Sequence, residues 1–231
     1  MPVQFHPDVS FQFQSIGEEK APLLIVDNFV RDPKVLVEQA ALLDYEPPEV
    51  AYPGVRALAP KEYQEFLLRE LIPRIARYFS FSGTTLRLGM CHYSLVTKSP
   101  EELSLVQRIP HVDSFDSGGL ATIHYLFDKD MGGTAFYQHR DTGYEIIDES
   151  RKINYFRSLE SAMHDSRTPP AEYINGDTPL FKQIGVQKGV YNRLLVYRRN
   201  SLHSGCIDKN FVPDFNPKTG RLSINSFIDF F

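Results

Sequence analysis

Apolar positions along the chain fall into two textures. Before about residue 85 they form one short run and then recur at helical spacing. Ala21 to Phe29 (APLLIVDNF) is a continuous apolar run of strand length. Asp32-Pro33 follows it, with Asp32 placed to cap a helix and Pro33 suited to the first turn. Val35, Leu36, Ala40 and Leu43 then share one side of a helix over 33–44, closed by Pro47-Pro48. Tyr52-Pro53-Gly54 signals a turn. A second helix starts near Lys61, with Tyr63, Phe66, Leu67 and Leu71 as its apolar stripe. Pro73 removes a donor from its ladder, so the helix kinks or restarts there and resumes through Ile75 to Phe79.

From Leu86 the pattern changes to β-branched and aromatic runs divided by Gly, Pro and Asp turns. LRLGMCHYSLVT from residue 86, LATIHYLF at 120–127, GGTAFY at 132–137, GVYNRLLVYRRN at 189–200 and RLSINSFIDFF at 221–231 each read as a strand. Between them, 138–184 is polar and proline-rich, with one helix expected around 150–165, and reads as an insertion. Helices followed by strands predict an α+β, mainly β domain with its N-terminal helices packed on the sheet. Many short strands in one domain imply a sandwich, a jelly roll or a barrel. A single domain over 1–231 is expected, with a strand-and-helix layer in about 1–85 and the β core in 86–231.

Composition changes this picture little. The chain has 231 residues, 42% of them hydrophobic and 13% aromatic, which is ample for one core and excludes disorder. A net charge of −4 implies no basic face, so no nucleic acid partner is expected. Two cysteines make neither a disulfide framework nor a zinc-ligand spacing. The first residues lack the charged and apolar regions of a signal peptide. No apolar run approaches the ~20 residues of a membrane span. A cytoplasmic protein with no membrane partner is the expectation, and composition sets no oligomeric state.

His111-Val112-Asp113 is the most informative triplet. On a strand, residues i and i+2 face the same way, so imidazole and carboxylate would project together into one cavity. Pro110 and the polar run 114–119 place them at a strand end. A second histidine, His203, follows the apolar strand of GVYNRLLVYRRNSLHSG. Two histidines with one carboxylate make the facial triad of non-haem Fe(II) oxygenases, which leaves positions open for cosubstrate and oxygen. Arg221 and Ser223 also share a strand face, and a cationic fork beside a hydroxyl suits a carboxylate.

The order HxD, GGTxF, LHSG, GRLSxN resembles the prolyl-hydroxylase-like branch of the 2-oxoglutarate oxygenases, over about residue 86 to the end. LLIVDNFVRDPKVLVEQA near the start resembles the helical N-terminal part of bacterial members. The resemblance implies a double-stranded β-helix (jelly roll) and an enzyme that uses Fe(II), 2-oxoglutarate and O2. It further implies that His111, Asp113 and His203 are the iron ligands. Arg221 would pair with the far carboxylate of 2-oxoglutarate, assisted by Ser223 and by the phenol of Tyr125. Gly132-Gly133 matches a turn that opens the next strand. Arg221 follows His203 at a longer spacing than is usual in the family, so a long loop over 204–220 is required. An aspartate at 113 argues for hydroxylation-type chemistry, since halogenating relatives carry a small residue there.

If Tyr125 faces the cavity, His124 faces away into the core, because strand neighbours alternate. Tyr93 faces either the substrate rim or the core. Arg140, directly after GGTAFYQH, is either a rim residue or a solvated loop cation. The loop 97–110 and the insertion 138–184 are the expected lids and substrate readers. The substrate is a small molecule or a peptide. Two other classes fit the same residues: a cupin-like metal enzyme without 2-oxoglutarate, and a non-catalytic jelly-roll binding protein.

Overall fold

The structure is a computed structural model that describes residues 2–48, 51–80, 86–164 and 167–230. Its N-terminal part runs β1 (Ser10–Ile16), β2 (Ala21–Asp27), α1 (Pro33–Ala40), β3 (Gly54–Leu58), α2 (Lys61–Phe66) and α3 (Ile72–Phe79). The remainder runs β4 (Leu86–Val96), β5 (Leu120–Tyr125), β6 (Gly133–His139), α4 (Glu149–His164), β7 (Phe181–Lys188), β8 (Leu194–Arg198), β9 (His203–Cys206) and β10 (Leu222–Phe230). A π-type turn over Leu67–Leu71 joins α2 to α3 just before Pro73, where the missing N–H breaks the regular ladder. The expected helix over 33–44 ends at Ala40, and the Asp32 side chain makes no capping bond.

The strands form two antiparallel sheets. A seven-stranded sheet runs β1-β2-β8-β5-β10-β4-β3, and a three-stranded sheet runs β7-β6-β9. Side-chain alternation decides what fills each space. On one face of the large sheet, Leu24, Val26, Leu120, Leu194, Val196, Leu222 and Ile224 pack with Leu36 and Ala40 of α1, Tyr63 and Phe66 of α2, and Ile75 and Phe79 of α3. On the other face, Leu23, Ile25, Ala121, Tyr125, Leu195 and Tyr197 meet Phe136 of the small sheet. The outer face of the small sheet, with Ala135, Tyr137 and Phe181, is covered by Tyr155 and Ala162 of α4. The result is four layers: helices, large sheet, small sheet, helix. No helix among the described residues is long and apolar enough to cross a membrane.

Four strands were not expected from the sequence: β1, β3, β7 and β9. All four are sheet edges. An edge strand is half solvated and need not carry a strong apolar run. Thus β1 (SFQFQSI) and β7 (FKQIGVQK) alternate polar and apolar residues, and β7 begins inside the stretch taken as an insertion. His203, expected after a turn, is the first residue of β9.

Candidate metal centre and anion-binding pocket

His111 does not lie on a long strand. It makes a single bridge to His203, in which each backbone N–H donates to the other's carbonyl at 2.8 and 2.9 Å. This reciprocal pair docks residues 110–113 beside β9 and sets the two imidazoles 4.5 Å apart, centroid to centroid. The Asp113 N–H donates to the Arg199 carbonyl at 2.8 Å, which fixes the carboxylate between the rings. His111 Nε2 lies 3.6 Å from Asp113 Oδ1, and His203 Nε2 lies 3.6 Å from Asp113 Oδ2. One ligand atom from each residue falls within 4.8 Å of the other two.

The electrostatics suit a cation there. The Ser201 carbonyl lies 2.9 Å from His203 Nδ1 and can only accept, so Nδ1 carries the proton and Nε2 presents a lone pair. Removal from water and the nearby His203 ring push the His111 pKa down to about 4, against a pull upward from Asp113. About half of the His111 side chain, 54%, still faces the opening. Its desolvation is therefore incomplete, and the direction is what matters: a neutral ring, ready to donate electrons.

A cavity of about 360 Å³ extends from these groups between the sheets, within the range of ligand pockets. Arg221 and Ser223 of the β10 side line it, despite the long loop before them. The Arg221 guanidinium is buried and held by two carbonyls, Nε to Met131 at 2.9 Å and Nη2 to Gly133 at 2.8 Å. Its remaining N–H groups have no carboxylate partner among the described residues. The Ser223 hydroxyl lies 2.8 Å from Asn225 Oδ1. Tyr125 sits deeper than expected: it is fully buried, and its hydroxyl shares a 2.7 Å hydrogen bond with Thr134, which lines the cavity in its place.

Other expected residues lie elsewhere. Tyr93 is not at the rim; it is fully buried on the helix side of the large sheet and donates to the Leu36 carbonyl at 2.9 Å. Arg140 is held away from the cavity by Asp177 at 2.7 Å and the Thr178 carbonyl at 2.9 Å. His124 is in the helix-side core, as its neighbour's direction requires, between the Tyr63 hydroxyl at 3.2 Å and Asn192 at 3.1 Å. The loop 97–110 does form a wall, through Val106, Gln107 and Ile109, but the stretch 138–184 contributes only Tyr173 among the described residues.

The sequence reading missed Tyr52 and Arg56, which line the same cavity. Arg56 lies on β3 opposite Ser94 of β4, and its guanidinium stacks 4.5 Å over the Tyr52 ring. Burial lowers its pKa, while Tyr52 and Asp113 pull it back up. The signal that could have found it was weak: an arginine on a five-residue edge strand directly after a Tyr-Pro-Gly turn.

The family described as "Family of unknown function (DUF6445)" matches residues 7–228. No curated protein matches the chain. Among solved structures, HygX from Streptomyces hygroscopicus with nickel and 2-oxoglutarate bound is 14% identical, with 91% of this chain and 84% of that one covered and a TM-score of 0.55. HygX with nickel, 2-oxoglutarate and hygromycin B bound is 12% identical, at the same coverage and a TM-score of 0.52. The epimerase SnoN in complex with Fe3+, alpha ketoglutarate and nogalamycin RO is 13% identical, with 85% of this chain and 72% of that one covered and a TM-score of 0.50. At these identities the likeness is one of fold.

Proposed function

Because the chain belongs to DUF6445, a family of unknown function, its activity has to be read from its site, and we propose that it is a non-haem Fe(II) dioxygenase that uses 2-oxoglutarate and O2 for hydroxylation-type oxidation of a small-molecule or peptide substrate. The carrying observation is the convergence of His111, Asp113 and His203 at one end of a cavity that also holds Arg221. The strand arrangement supports the same reading. The order β4-β10-β5-β8 in one sheet, β7-β6-β9 in the sheet facing it, and the His111 bridge are what a double-stranded β-helix would require. HygX and SnoN, whose folds are similar, were solved with 2-oxoglutarate and a metal.

Each residue then has a task. His111 Nε2, Asp113 and His203 Nε2 would hold Fe(II), and three protein ligands leave room for cosubstrate and oxygen to bind. The bound metal and cosubstrate would supply the oxidative chemistry, in which 2-oxoglutarate, O2 and a C–H bond become succinate, CO2 and C–OH. The Ser201 carbonyl keeps His203 in the ligating tautomer. Arg221, fixed by Met131 and Gly133, offers its free N–H groups to the far carboxylate of 2-oxoglutarate. Ser223 reaches the same carboxylate once the Asn225 amide turns its NH₂ to the Ser223 oxygen and frees the hydroxyl proton. Thr134, backed by Tyr125, lines the cavity from the facing small sheet. A cupin-like metal enzyme would have no need of a guanidinium in the cavity, so Arg221 favours the oxygenase. Both cysteines are free and buried, in keeping with a cytoplasmic setting.

The test is anaerobic addition of Fe(II) and 2-oxoglutarate. A visible charge-transfer band is expected in the wild type and none in His203→Ala or Asp113→Ala. Arg221→Met should retain the band but need roughly 10–100-fold more 2-oxoglutarate. Absence of the band in folded wild type refutes the reading.

A further inference from the structure

The cavity holds one more cation than this chemistry uses. The charged side chains lining it, among the described residues, are Asp113, Arg221 and Arg56. On the reading above, a divalent ion is neutralised by Asp113 and by the near carboxylate of 2-oxoglutarate, while Arg221 neutralises the far one. Arg56 is left without a counter-charge, and no ion pair to it is formed among the described residues. A lone guanidinium beside a largely apolar cavity is costly unless an anion joins it.

Its surroundings point the same way. Arg56 Nη1 lies 3.3 Å from the Met90 sulfur, a weak acceptor. Its Nε–H is buried and has no hydrogen-bond partner. Two neighbours are nearly as poorly served: the Tyr52 hydroxyl and the fully buried Ser94 hydroxyl have at most each other as partners among the described residues. Tyr52, Arg56 and Ser94 meet at one place, since Arg56 pairs with Ser94 across β3 and β4 and stacks on Tyr52. Buried polar groups are almost always satisfied, so an unpartnered guanidinium N–H beside two hydroxyls with spare capacity marks a place built for something else to bind. A guanidinium edge with hydroxyl donors beside it matches a planar carboxylate.

We propose that Arg56, with Tyr52 and Ser94, forms a second anion subsite that holds a carboxylate of the primary substrate, so that the enzyme oxidises a carboxylate-bearing molecule. This rests on the oxygenase reading. The stacking on Tyr52 fixes the fork, and the register puts it on the same sheet face as Ser223, with Ser94 of β4 between them, so the subsite lies beside the β10 residues rather than on them. The subsite selects one negative charge and orients the C–H bond to be attacked.

The experiment uses the full chain loaded with Mn(II) and saturating 2-oxoglutarate, the binding of which is first confirmed by calorimetry. Fluoroacetate is then titrated, and its fluorine signal is followed for paramagnetic broadening by the metal, with neutral fluoroacetamide as the matched probe. Saturable broadening by fluoroacetate alone is expected. Arg56→Met should weaken it roughly tenfold or more while 2-oxoglutarate binds as before. No saturable broadening, or broadening unchanged in Arg56→Met, overturns the subsite. A matching loss of 2-oxoglutarate affinity in Arg56→Met overturns it too, because Arg56 would then anchor the cosubstrate. If the wild type fails to bind Mn(II) and 2-oxoglutarate at all, the oxygenase reading falls with it, which is a separate result. Should Arg56→Met not fold by its melting curve, Arg56→Lys decides: weakened fluoroacetate with retained 2-oxoglutarate supports the fork, and unchanged fluoroacetate overturns it.

Discussion

Histidines in this chain show how one residue type is sorted by its neighbours. His111 and His203 face a cavity and a carboxylate, whereas His124, on the next face of a strand, is stacked 5.8 Å from Tyr63 and hydrogen-bonded on both nitrogens. The i, i+2 spacing made His111 and Asp113 legible in sequence, and alternation against Tyr125 made His124 legible as a core residue. Arg56 was not legible, because its role depends on which side chains lie across β3 and β4, and nothing local encodes that register. The buried imidazole has a measurable consequence. Removal from water pushes the His124 pKa from 6.5 to about 4. Between those values the unfolded chain binds a proton that the folded one refuses, so stability is full above pH 6.5 and falls as the pH drops towards 4. Its share is about 3 kcal/mol. His92 and His139, whose pKa values are also lowered by burial, act in the same direction. In metal-free protein, urea unfolding at pH 7.5 and 4.5 should show a smaller acid loss in His124→Gln, by ~2–3 kcal/mol. Equal losses in variant and wild type would reject His124 as a source.

At the scale of elements, the turn into β6 matters more than its length suggests. Gly132 has a φ of +79°, and a Cβ there would lie 1.8 Å from the Cys206 carbonyl oxygen of the neighbouring β9. The residues on either side of it, Met131 and Gly133, supply the two carbonyls that hold Arg221. Close approach of β6 to β9 and the aim of the guanidinium are thus set by one tight turn. Gly132→Ala should cost at least ~2 kcal/mol of stability, from strain and forced separation of the strands. It should also weaken 2-oxoglutarate although the alanine never touches it. Urea unfolding and calorimetric titration test the two halves, and a stable variant with unchanged affinity would contradict the link. The Gly-Gly pair was visible in sequence, and so were the strands buried on both faces, such as β2 and β8 with their unbroken apolar runs. The edge strands β1, β3 and β7 were missed for the opposite reason, since solvent on one side leaves their pattern mixed, and β9 because it is only four residues long. The stretch 138–184 was credited with a wall to which it adds only Tyr173 among the described residues; the loop 97–110 supplies its expected share, and the unflagged segment 51–56 supplies more. Loop length alone says nothing about which way a loop folds.

Over the whole molecule, the candidate site sits where the two sheets are clamped. His203 belongs to the small sheet and His111 is bridged to it, whereas Arg221 leads into β10 of the large sheet and reaches across to Gly133 of β6. Asp113 is tied to the Arg199 carbonyl at the end of β8. A metal with 2-oxoglutarate would therefore contact both sheets at once, and every contact would exist only while the sheets face each other in register. Such a ligand binds the folded chain alone and stabilises it by linkage, by ~2.7 kcal/mol at a hundredfold excess over its dissociation constant. For a chain of 231 residues this corresponds to a rise of ~5–10 °C in melting temperature. Mn(II) and 2-oxoglutarate together should give that rise under anaerobic conditions, 2-oxoglutarate without metal should give little of it, and a chelator should reverse it. Asp113→Ala, which opens no large cavity and removes one ligand, should melt near the metal-free wild type with or without the pair. A wild type whose melting curve is indifferent to both ligands would mean that the two sheets are held by their apolar faces alone, and that the convergence of His111, Asp113 and His203 binds no metal.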